Sequence, residues 1–188
     1  MSIKELPPQL ESSIDGPVHV PVLLNLVLEL LNPQPGDQYL DLTAGYGGHA
    51  RPILGMTDSY SKSVLVDRDS FAVQHLQDLV RQGARMLETD FVSAAQRLID
   101  EGQKFDIILA DLGVSSPQLD EGERGFSFRF DAPLDMRMDT TQGETAAEFL
   151  AIAGIKEITE VIGNYGEERF DFQIAKKIVA ARGERPLT

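Results

Sequence analysis

Four short β-prone segments alternate with stretches of helical periodicity over the first 111 residues. The β-prone segments are Gln38–Thr43, Ser63–Asp67, Ala84–Glu88 and Phe105–Asp111. The intervening helices are expected through Leu54, over Ser70–Gln82 and over Val92–Glu101. Because strand–helix–strand units of this length make successive strands parallel, the chain is predicted to form an α/β fold with an open, twisted parallel sheet. Ligands of such sheets bind beyond the carboxyl ends of the strands.

The rest of the chain divides around this sheet. Residues 1–18 are rich in Pro, Ser and Gly, which predicts an irregular N-terminal arm. Residues 19–143 form the predicted sheet domain, which opens with a packed helix carrying Val22, Leu23, Leu26, Val27 and Leu30 at helical spacing. Its last part, residues 112–143, has no clean period and is interpreted as a long functional loop. Residues 144–188 are helical again and predict a small helical subdomain.

Composition limits the function classes. The chain has 188 residues, enough for one well-packed core, and a net charge of −13, which argues against binding nucleic acid by bulk charge, so any such contact must be local. There is no Cys and there are three His, so we expect neither disulfides nor a metal site. Neither a membrane-spanning run nor a secretion signal is evident, so we expect a cytoplasmic protein without a membrane partner.

A glycine cluster follows the first predicted strand in the segment DLTAGYGGH, residues 41–49. Gly45, Gly47 and Gly48 let the backbone turn sharply and approach a ligand at the start of a helix, although a plain tight turn has the same pattern. Asp67 ends the second strand, twenty residues after Gly47, where a carboxylate can accept hydrogen bonds from ribose hydroxyls. Asp69 is interpreted as a residue of the helix start.

Two classes of cofactor share this geometry, the nicotinamide dinucleotides and S-adenosylmethionine. Ala50 stands at the third position of the dinucleotide glycine pattern, a permitted variant, so the motif does not separate them. Asp41 favours S-adenosylmethionine, because a carboxylate there repels a pyrophosphate and attracts a cation. After the third strand, Asp90 and Phe91 suit an adenine ring, or else a helix cap and a core side chain.

The segment after Asp111 combines arginines with phenylalanines. Arg124, Arg129 and Arg137 are candidates for binding phosphate or stacking on bases, and Phe126 or Phe128 for stacking on a base taken out of a helix. Six carboxylates accompany the three arginines between residues 120 and 139, so salt bridges to neighbouring acids are the alternative.

The chain resembles a known family in seven motifs, which occur in the order HVPVLL, AGYGGH, VDRD, DLGVSSPQL, ERGFSF, PLDMRMD and NYGEER. They are similar to the bacterial small-subunit (16S) rRNA cytosine-N4 methyltransferases, the RsmH or MraW family. The resemblance runs from His19 to Thr188. It implies a Rossmann-like methyltransferase sheet and transfer of a methyl group from S-adenosylmethionine to N4 of a cytidine in the decoding region.

The resemblance also implies site residues. Those for the cofactor are Gly47, Gly48, His49, Asp67, Phe91, Asp111 and Gln118. Asp111 is in addition the one candidate for a catalytic role, as an acceptor that aligns the amine and takes its proton. The implied partner is small-subunit rRNA, and because the chain is acidic we expect an assembled or assembling subunit to be preferred over free rRNA.

One departure from the family concerns length. Its members continue beyond the RPLT that ends this chain, and the resemblance implies that the later part supplies further strands. About four parallel strands are therefore expected here, which leaves open a non-catalytic module that binds the ribosome or a partner, or a homodimer. A nicotinamide-dependent oxidoreductase is less favoured, because no hydride-transfer constellation of His, Tyr or Lys is evident.

Overall fold

The computed structural model describes residues 21–184 and Leu187, so the predicted arm at residues 1–18 lies outside the described residues. The strands within this part are β1 Tyr39–Asp41, β2 Val64–Asp67, β3 Arg85–Glu88 and β4 Ile107–Leu109. The helices are α1 Leu24–Leu31, α2 Ala50–Thr57, α3 Ser70–His75, α4 Gln77–Arg81, α5 Phe91–Asp100, α6 Ser116–Asp120, α7 Ala146–Ile152, α8 Ile155–Gly166 and α9 Asp171–Arg182. Short 3-10 turns occupy Tyr60–Lys62 and Gly122–Arg124.

The four strands form one sheet in the order β3-β2-β1-β4, and every neighbouring pair is parallel. In its register, Leu40 pairs with Val64 and Ile108 pairs with Leu40 from the other side. Each strand lies inside a segment that the sequence predicted as β. The prediction of an α/β fold with about four parallel strands is therefore confirmed.

Helices cover both faces of the sheet because side chains alternate along the strands. On one face Tyr39 and Leu65 pack with Ile53 of α2, with Leu76 at the junction of α3 and α4, and with Leu79 of α4. On the other face the buried side chains come from β1, β2, β3 and α5, namely Leu40, Val64, Val66, Leu87, Ala94 and Leu98. The carboxyl ends of the central strands are left free for a site.

Two helix predictions need correction. α1 begins at Leu24, and Leu23 and Leu30 of the expected apolar face are exposed, while Leu28 and Leu31 pack against the core. The sequence of α1 is so rich in Leu and Val that more than one side of the helix could be the buried side. The single helix expected over Ser70–Gln82 is broken at Leu76, whose side chain is fully buried.

The segment expected to be a long loop contains α6 and the turn Gly122–Arg124. Beyond it, α7, α8 and α9 form an apolar cluster of their own around Ile158 and Ala175. α7 begins with a capping box between Thr145 and Glu148, which satisfies two backbone N–H groups of its first turn. No helix among residues 21–184 has the length and apolar character needed to cross a membrane.

Candidate functional site

The glycine turn after β1 lies against the end of β2. The Gly45 N–H donates to Oδ2 of Asp67 over 2.7 Å, and the Asp69 N–H donates to Oδ1 over 2.9 Å. Gly45 has a left-handed φ of +51°, and the atom nearest to its absent Cβ is the Thr43 carbonyl oxygen at 3.9 Å. Burial raises the pKa of Asp67, and the two N–H donors oppose that shift. The unobstructed backbone at Gly45 thus lies beside the Asp67 carboxylate, whose orientation is fixed by two hydrogen bonds.

Gly47 and Gly48 are required for packing. A Cβ on Gly47, whose φ is +83°, would lie 2.8 Å from Cδ2 of Leu76. A Cβ on Gly48 would lie 2.9 Å from Cγ of Pro21. The missing side chains therefore let the turn sit directly on the core and on the segment that precedes α1.

Asp111 and His49 meet where β4 ends beside β1. The Asp111 N–H donates to Oγ1 of Thr43 over 2.7 Å, which fixes the end of β4 to the start of the glycine turn. His49 is buried, with Nε2 3.2 Å from the Val22 carbonyl oxygen and Nδ1 3.9 Å from Oδ2 of Asp111. A carbonyl only accepts, so Nε2 carries a proton in this arrangement. The Asp111 side chain is 59% exposed, so its carboxylate opens to a ligand.

Asp41 lies beneath the turn with 1% of its surface exposed. It accepts a hydrogen bond from the Tyr39 hydroxyl over 2.6 Å and another from the Thr43 N–H over 3.1 Å. Burial raises the pKa of Asp41 to about 6, although both hydrogen bonds act to lower it. Its side chain cannot touch a ligand, so the expected attraction for a cation acts only through its electric field.

Asp69 caps α3 by accepting from the Phe71 N–H over 3.1 Å, which confirms its interpretation as a residue of the helix start. The carboxylate has a second role that sequence reasoning missed. Gln118 donates to Oδ2 from Nε2 over 2.9 Å, and Arg124 donates to the same oxygen from Nη2 over 3.0 Å. Only 1% of Asp69 and 7% of Arg124 are exposed, so this is a buried ion pair.

The Arg124 guanidinium fastens the segment after β4 onto the β2–α3 junction. Nη2 also lies 3.1 Å from the Met138 carbonyl oxygen, and the group lies over the Phe71 ring at 5.0 Å and near the Phe126 ring at 5.9 Å. The expectation that Arg124 binds phosphate or stacks on a base does not describe this geometry, because protein groups enclose the guanidinium. Gln118, expected at the cofactor, has its amide engaged with Asp69 and with the Ser115 N–H.

The other two candidate arginines are also paired. Arg137 binds Asp135 through Nε at 2.8 Å and Nη2 at 2.9 Å, whereas Arg129 lies 3.5 Å from Asp120 in an exposed pair. The salt-bridge alternative therefore describes both. Phe128 beside Arg129 is fully exposed.

The residues expected near an adenine stand at the start of α5. Asp90 accepts from the Val92 and Ser93 N–H groups, so it is the helix cap. Phe91 is 44% exposed and is no core side chain. A cavity of about 860 Å³ adjoins this point, bounded by Arg68 and by residues 88–90, 136–139 and 141–143.

Tyr46, inside the glycine turn, is a further residue that sequence reasoning missed. Its hydroxyl donates to Oε1 of Glu121 over 3.0 Å, and its ring lies 4.5 Å from the His75 ring. Burial and the Glu121 carboxylate raise the pKa of the Tyr46 phenol. The position of Tyr46 between Gly45 and Gly47 was the one feature of the sequence that could have indicated a place in the site. No group of three potential metal-ligating residues occurs within the part of the chain that the structure describes.

Comparison with known proteins places this arrangement in a family. The model of the MraW methylase family matches residues 17–188. The chain belongs to this family. The resemblance found in the sequence is thereby confirmed, and the parallel sheet with helices on both faces is the Rossmann-like methyltransferase fold of the MraW methylases.

Curated relatives share close to half of their aligned residues with this MraW family member. Ribosomal RNA small subunit methyltransferase H of Dechloromonas aromatica is 52% identical over 90% of this chain and 55% of its own length. The protein of the same name from Methylobacillus flagellatus is 50% identical over 87% of this chain and 51% of its own length. The protein of the same name from Neisseria meningitidis serogroup C is 47% identical over 90% of this chain and 52% of its own length. The chain thus spans about half the length of these relatives.

Proposed function

We propose that this chain binds S-adenosylmethionine at the carboxyl edge of its sheet and belongs to an enzyme that methylates N4 of a cytidine in the decoding region of small-subunit rRNA. The observation that carries the proposal is the contact between Asp67 and the open glycine turn at Gly45. The names of the relatives support rRNA of the small subunit as the substrate. We expect the reaction to take place in the cytoplasm.

The residues fit the methyl donor. Each oxygen of Asp67 accepts one backbone N–H, and a carboxylate oxygen has a further lone pair free for a ribose hydroxyl. Phe91 offers a half-exposed ring to the adenine. The carboxylates of Asp41, Asp67 and Asp111 at this edge favour a cationic ligand and disfavour a pyrophosphate.

The turn residues Gly47, Gly48 and His49 would hold the donor from the β1 side, and Asp111 from the β4 side. Gln118 would act indirectly, since its amide already fixes Asp69. The backbone N–H of Asp69 in turn donates to Oδ1 of the Asp67 carboxylate. Of the residues predicted to bind the cofactor, Gln118 would therefore position another side chain, and the others would contact the cofactor directly.

When bound, S-adenosylmethionine supplies an electrophilic methyl carbon on a sulfonium. The cytidine amine is a weak nucleophile because its lone pair is delocalised into the ring, so alignment matters more than a strong base. The exposed Asp111 carboxylate would accept one amine N–H, orient the nitrogen and later take the proton. The buried His49 beneath it would restrict the rotation of that carboxylate.

The segment after β4 would present the substrate base. Phe128 offers a fully exposed ring for stacking, with the exposed Arg129 next to it. A net charge of −13 opposes long-range attraction to RNA, so an assembled or assembling subunit that supplies further contacts would be preferred over free rRNA.

The first test is a calorimetric titration of the 188-residue chain with S-adenosylmethionine and, separately, with NAD. We expect binding of the methyl donor alone, and its loss in Asp67→Ala. Asp100→Ala removes an exposed carboxylate on α5 and is the matched control, which should bind as the unchanged chain does. Binding of NAD, or equal binding of the donor by Asp67→Ala, would contradict the proposal.

The second test is transfer of a labelled methyl group to isolated small subunits and to protein-free rRNA. More methyl transfer to small subunits than to free rRNA would support the substrate proposal. Donor binding without transfer to either would identify this chain as a binding module. Equal transfer to both would refute the preference for assembled subunits.

A further inference from the structure

Tyr46 and Glu121 join two parts of the site that are 75 residues apart in the sequence. Tyr46 lies in the glycine turn, and its hydroxyl donates to Oε1 of Glu121 over 3.0 Å. Glu121 belongs to the segment after β4, residues 112–143, which also carries Phe128, proposed above to stack on the substrate base. Burial raises the pKa of the Tyr46 phenol, so the hydroxyl keeps its proton at neutral pH and remains a donor.

Glu121 also lies beside the buried ion pair of Arg124 and Asp69. Its Oε2 is 3.7 Å from Nη1 of Arg124, and Nη2 of Arg124 is 3.0 Å from Oδ2 of Asp69. The Glu121 side chain is 39% exposed, whereas the ion pair is almost wholly buried. The segment after β4 is therefore fastened at two points, by a buried ion pair at the β2–α3 junction and by a partly exposed hydrogen bond at the glycine turn.

These contacts close a ring around the carboxylate that we propose for the ribose. The Asp69 N–H donates to Oδ1 of Asp67, and the Gly45 N–H donates to Oδ2. Gly45 directly precedes Tyr46, so the ring returns to the glycine turn from which it started. A ligand that binds the turn and Asp67 thus contacts groups that are linked by a few hydrogen bonds to the segment after β4.

The two fastenings differ in what it costs to open them. Separating Arg124 from Asp69 leaves charges buried without a partner, which is strongly unfavourable. Separating Tyr46 from Glu121 exposes a carboxylate that is already in contact with water, which costs much less. Gly45 and Gly47 flank Tyr46 and leave the backbone of the turn free to move, so a ligand that orders the turn also lowers the entropic cost of forming the Tyr46–Glu121 bond.

We propose that Tyr46 and Glu121 are positioning residues, which couple donor binding at the glycine turn to the placement of the segment after β4. The inference rests on the proposed function in that the ligand of the turn is S-adenosylmethionine. The bound donor strengthens the Tyr46–Glu121 bond and fixes the segment that presents the base. Because coupling between two sites is reciprocal, fixing the segment raises the affinity for the donor by the same factor.

The test measures hydrogen exchange of residues 112–143 by mass spectrometry, without S-adenosylmethionine and at concentrations that saturate each variant. In the unchanged chain the donor should slow exchange in this segment about tenfold. Tyr46→Phe removes only the hydroxyl and keeps the ring beside His75, so it should abolish most of this slowing. By reciprocity its affinity for the donor, measured by calorimetry, should fall by the same factor, which a merely structural role of the hydroxyl would not produce.

Variants of Glu121 separate positioning from a direct contact of Tyr46 with the donor. Glu121→Ala removes the acceptor and should lose the slowing as Tyr46→Phe does. Glu121→Gln keeps an amide oxygen that can accept from the Tyr46 hydroxyl, so it should retain most of the slowing. The double variant Tyr46→Phe/Glu121→Ala should lose no more than either single variant, because the two residues act through one bond.

Glu123→Ala is the matched control. It removes an exposed carboxylate from the same 3-10 turn, Gly122–Arg124, and should behave as the unchanged chain does. Circular dichroism of each variant excludes unfolding as the cause of a change.

Two results would overturn this inference and leave the proposed function standing. One is equal donor-induced slowing in the unchanged chain and in Tyr46→Phe. The other is donor binding by the unchanged chain that depends on Asp67 but slows no exchange in the segment after β4. An unchanged chain that binds no S-adenosylmethionine would instead refute the proposed function, and the coupling with it.

Discussion

Arg124 and Asp69 are joined by a 3.0 Å ion pair that is almost wholly removed from solvent. Removing the cation by Arg124→Met leaves a buried carboxylate without its charge partner. We expect a loss of about 3–5 kcal/mol in the free energy of unfolding, measured with urea. The double variant Arg124→Met/Asp69→Asn should recover part of that loss, because it removes both charges.

The control for this prediction is Arg129→Met. Arg129 and Asp120 form an exposed pair at 3.5 Å, and pairs of this kind contribute about 1 kcal/mol or less. An equal loss in the two arginine variants would show that the burial of Arg124 has no bearing on stability.

Gly47 should not tolerate a side chain. In Gly47→Ala the new Cβ would lie 2.8 Å from Cδ2 of Leu76, in a backbone conformation with φ of +83°. We expect the melting temperature to fall by more than in Gly102→Ala. Gly102 has a similar φ of +68° and open space around it, so that control isolates the backbone strain from the steric contact. Identical losses would mean that the contact with Leu76 relaxes freely.

Asp41 should make stability depend on pH. Its pKa rises from the ordinary value of 3.8 to about 6 in the folded chain, so the folded state binds the proton more tightly than the unfolded state. The resulting stabilisation is present below about pH 4 and is lost as the pH rises through 6. Unfolding by urea at several pH values should show that Asp41→Asn removes this component, which amounts to at most about 3 kcal/mol between pH 4 and pH 7.

Asp100→Asn serves as the control for the pH series, because its carboxylate stands on the exposed side of α5. Parallel pH profiles of the unchanged chain and Asp41→Asn would show that Asp41 titrates normally despite its burial.

Asp111→Asn separates donor binding from catalysis. If the carboxylate accepts the amine proton, methyl transfer to small subunits should slow by about 100-fold or more, while the affinity for S-adenosylmethionine changes little. Equal decreases in the rate of methyl transfer and in the affinity for S-adenosylmethionine would mean that Asp111 acts only in binding the cofactor. Unchanged transfer and unchanged affinity would remove it from both roles.

The sheet was predictable because its evidence is local. Strands β1 to β4 lie in mostly apolar segments that helices separate, so the order along the chain and the parallel direction were predictable from sequence alone. The carboxyl edge followed from that topology. The glycine turn and Asp67 came together as their positions after β1 and β2 implied.

The remaining features depend on contacts between distant parts of the sequence. Asp69 and Arg124 are 55 residues apart, and no spacing rule links a helix cap to an arginine in a polar segment. Leu76, where the helix breaks, packs with its Cδ2 2.8 Å from the Cβ position that Gly47 lacks, a contact that only the folded core reveals. For α1, a run with apolar residues on nearly every side gives no unique buried face.

The strand order implies an order of assembly. Leu40 of β1 pairs with Val64 across 24 residues, whereas Tyr39 pairs with Ile107 across 68. Closing the longer loop costs about 1 kcal/mol more in chain entropy, so we expect β1, β2 and β3 to associate first and β4 to join afterwards. During synthesis the glycine turn and Asp67 would then be in place before Asp111 arrives, so the part of the site that we propose for the nucleoside would form earlier than the part that we propose for the proton.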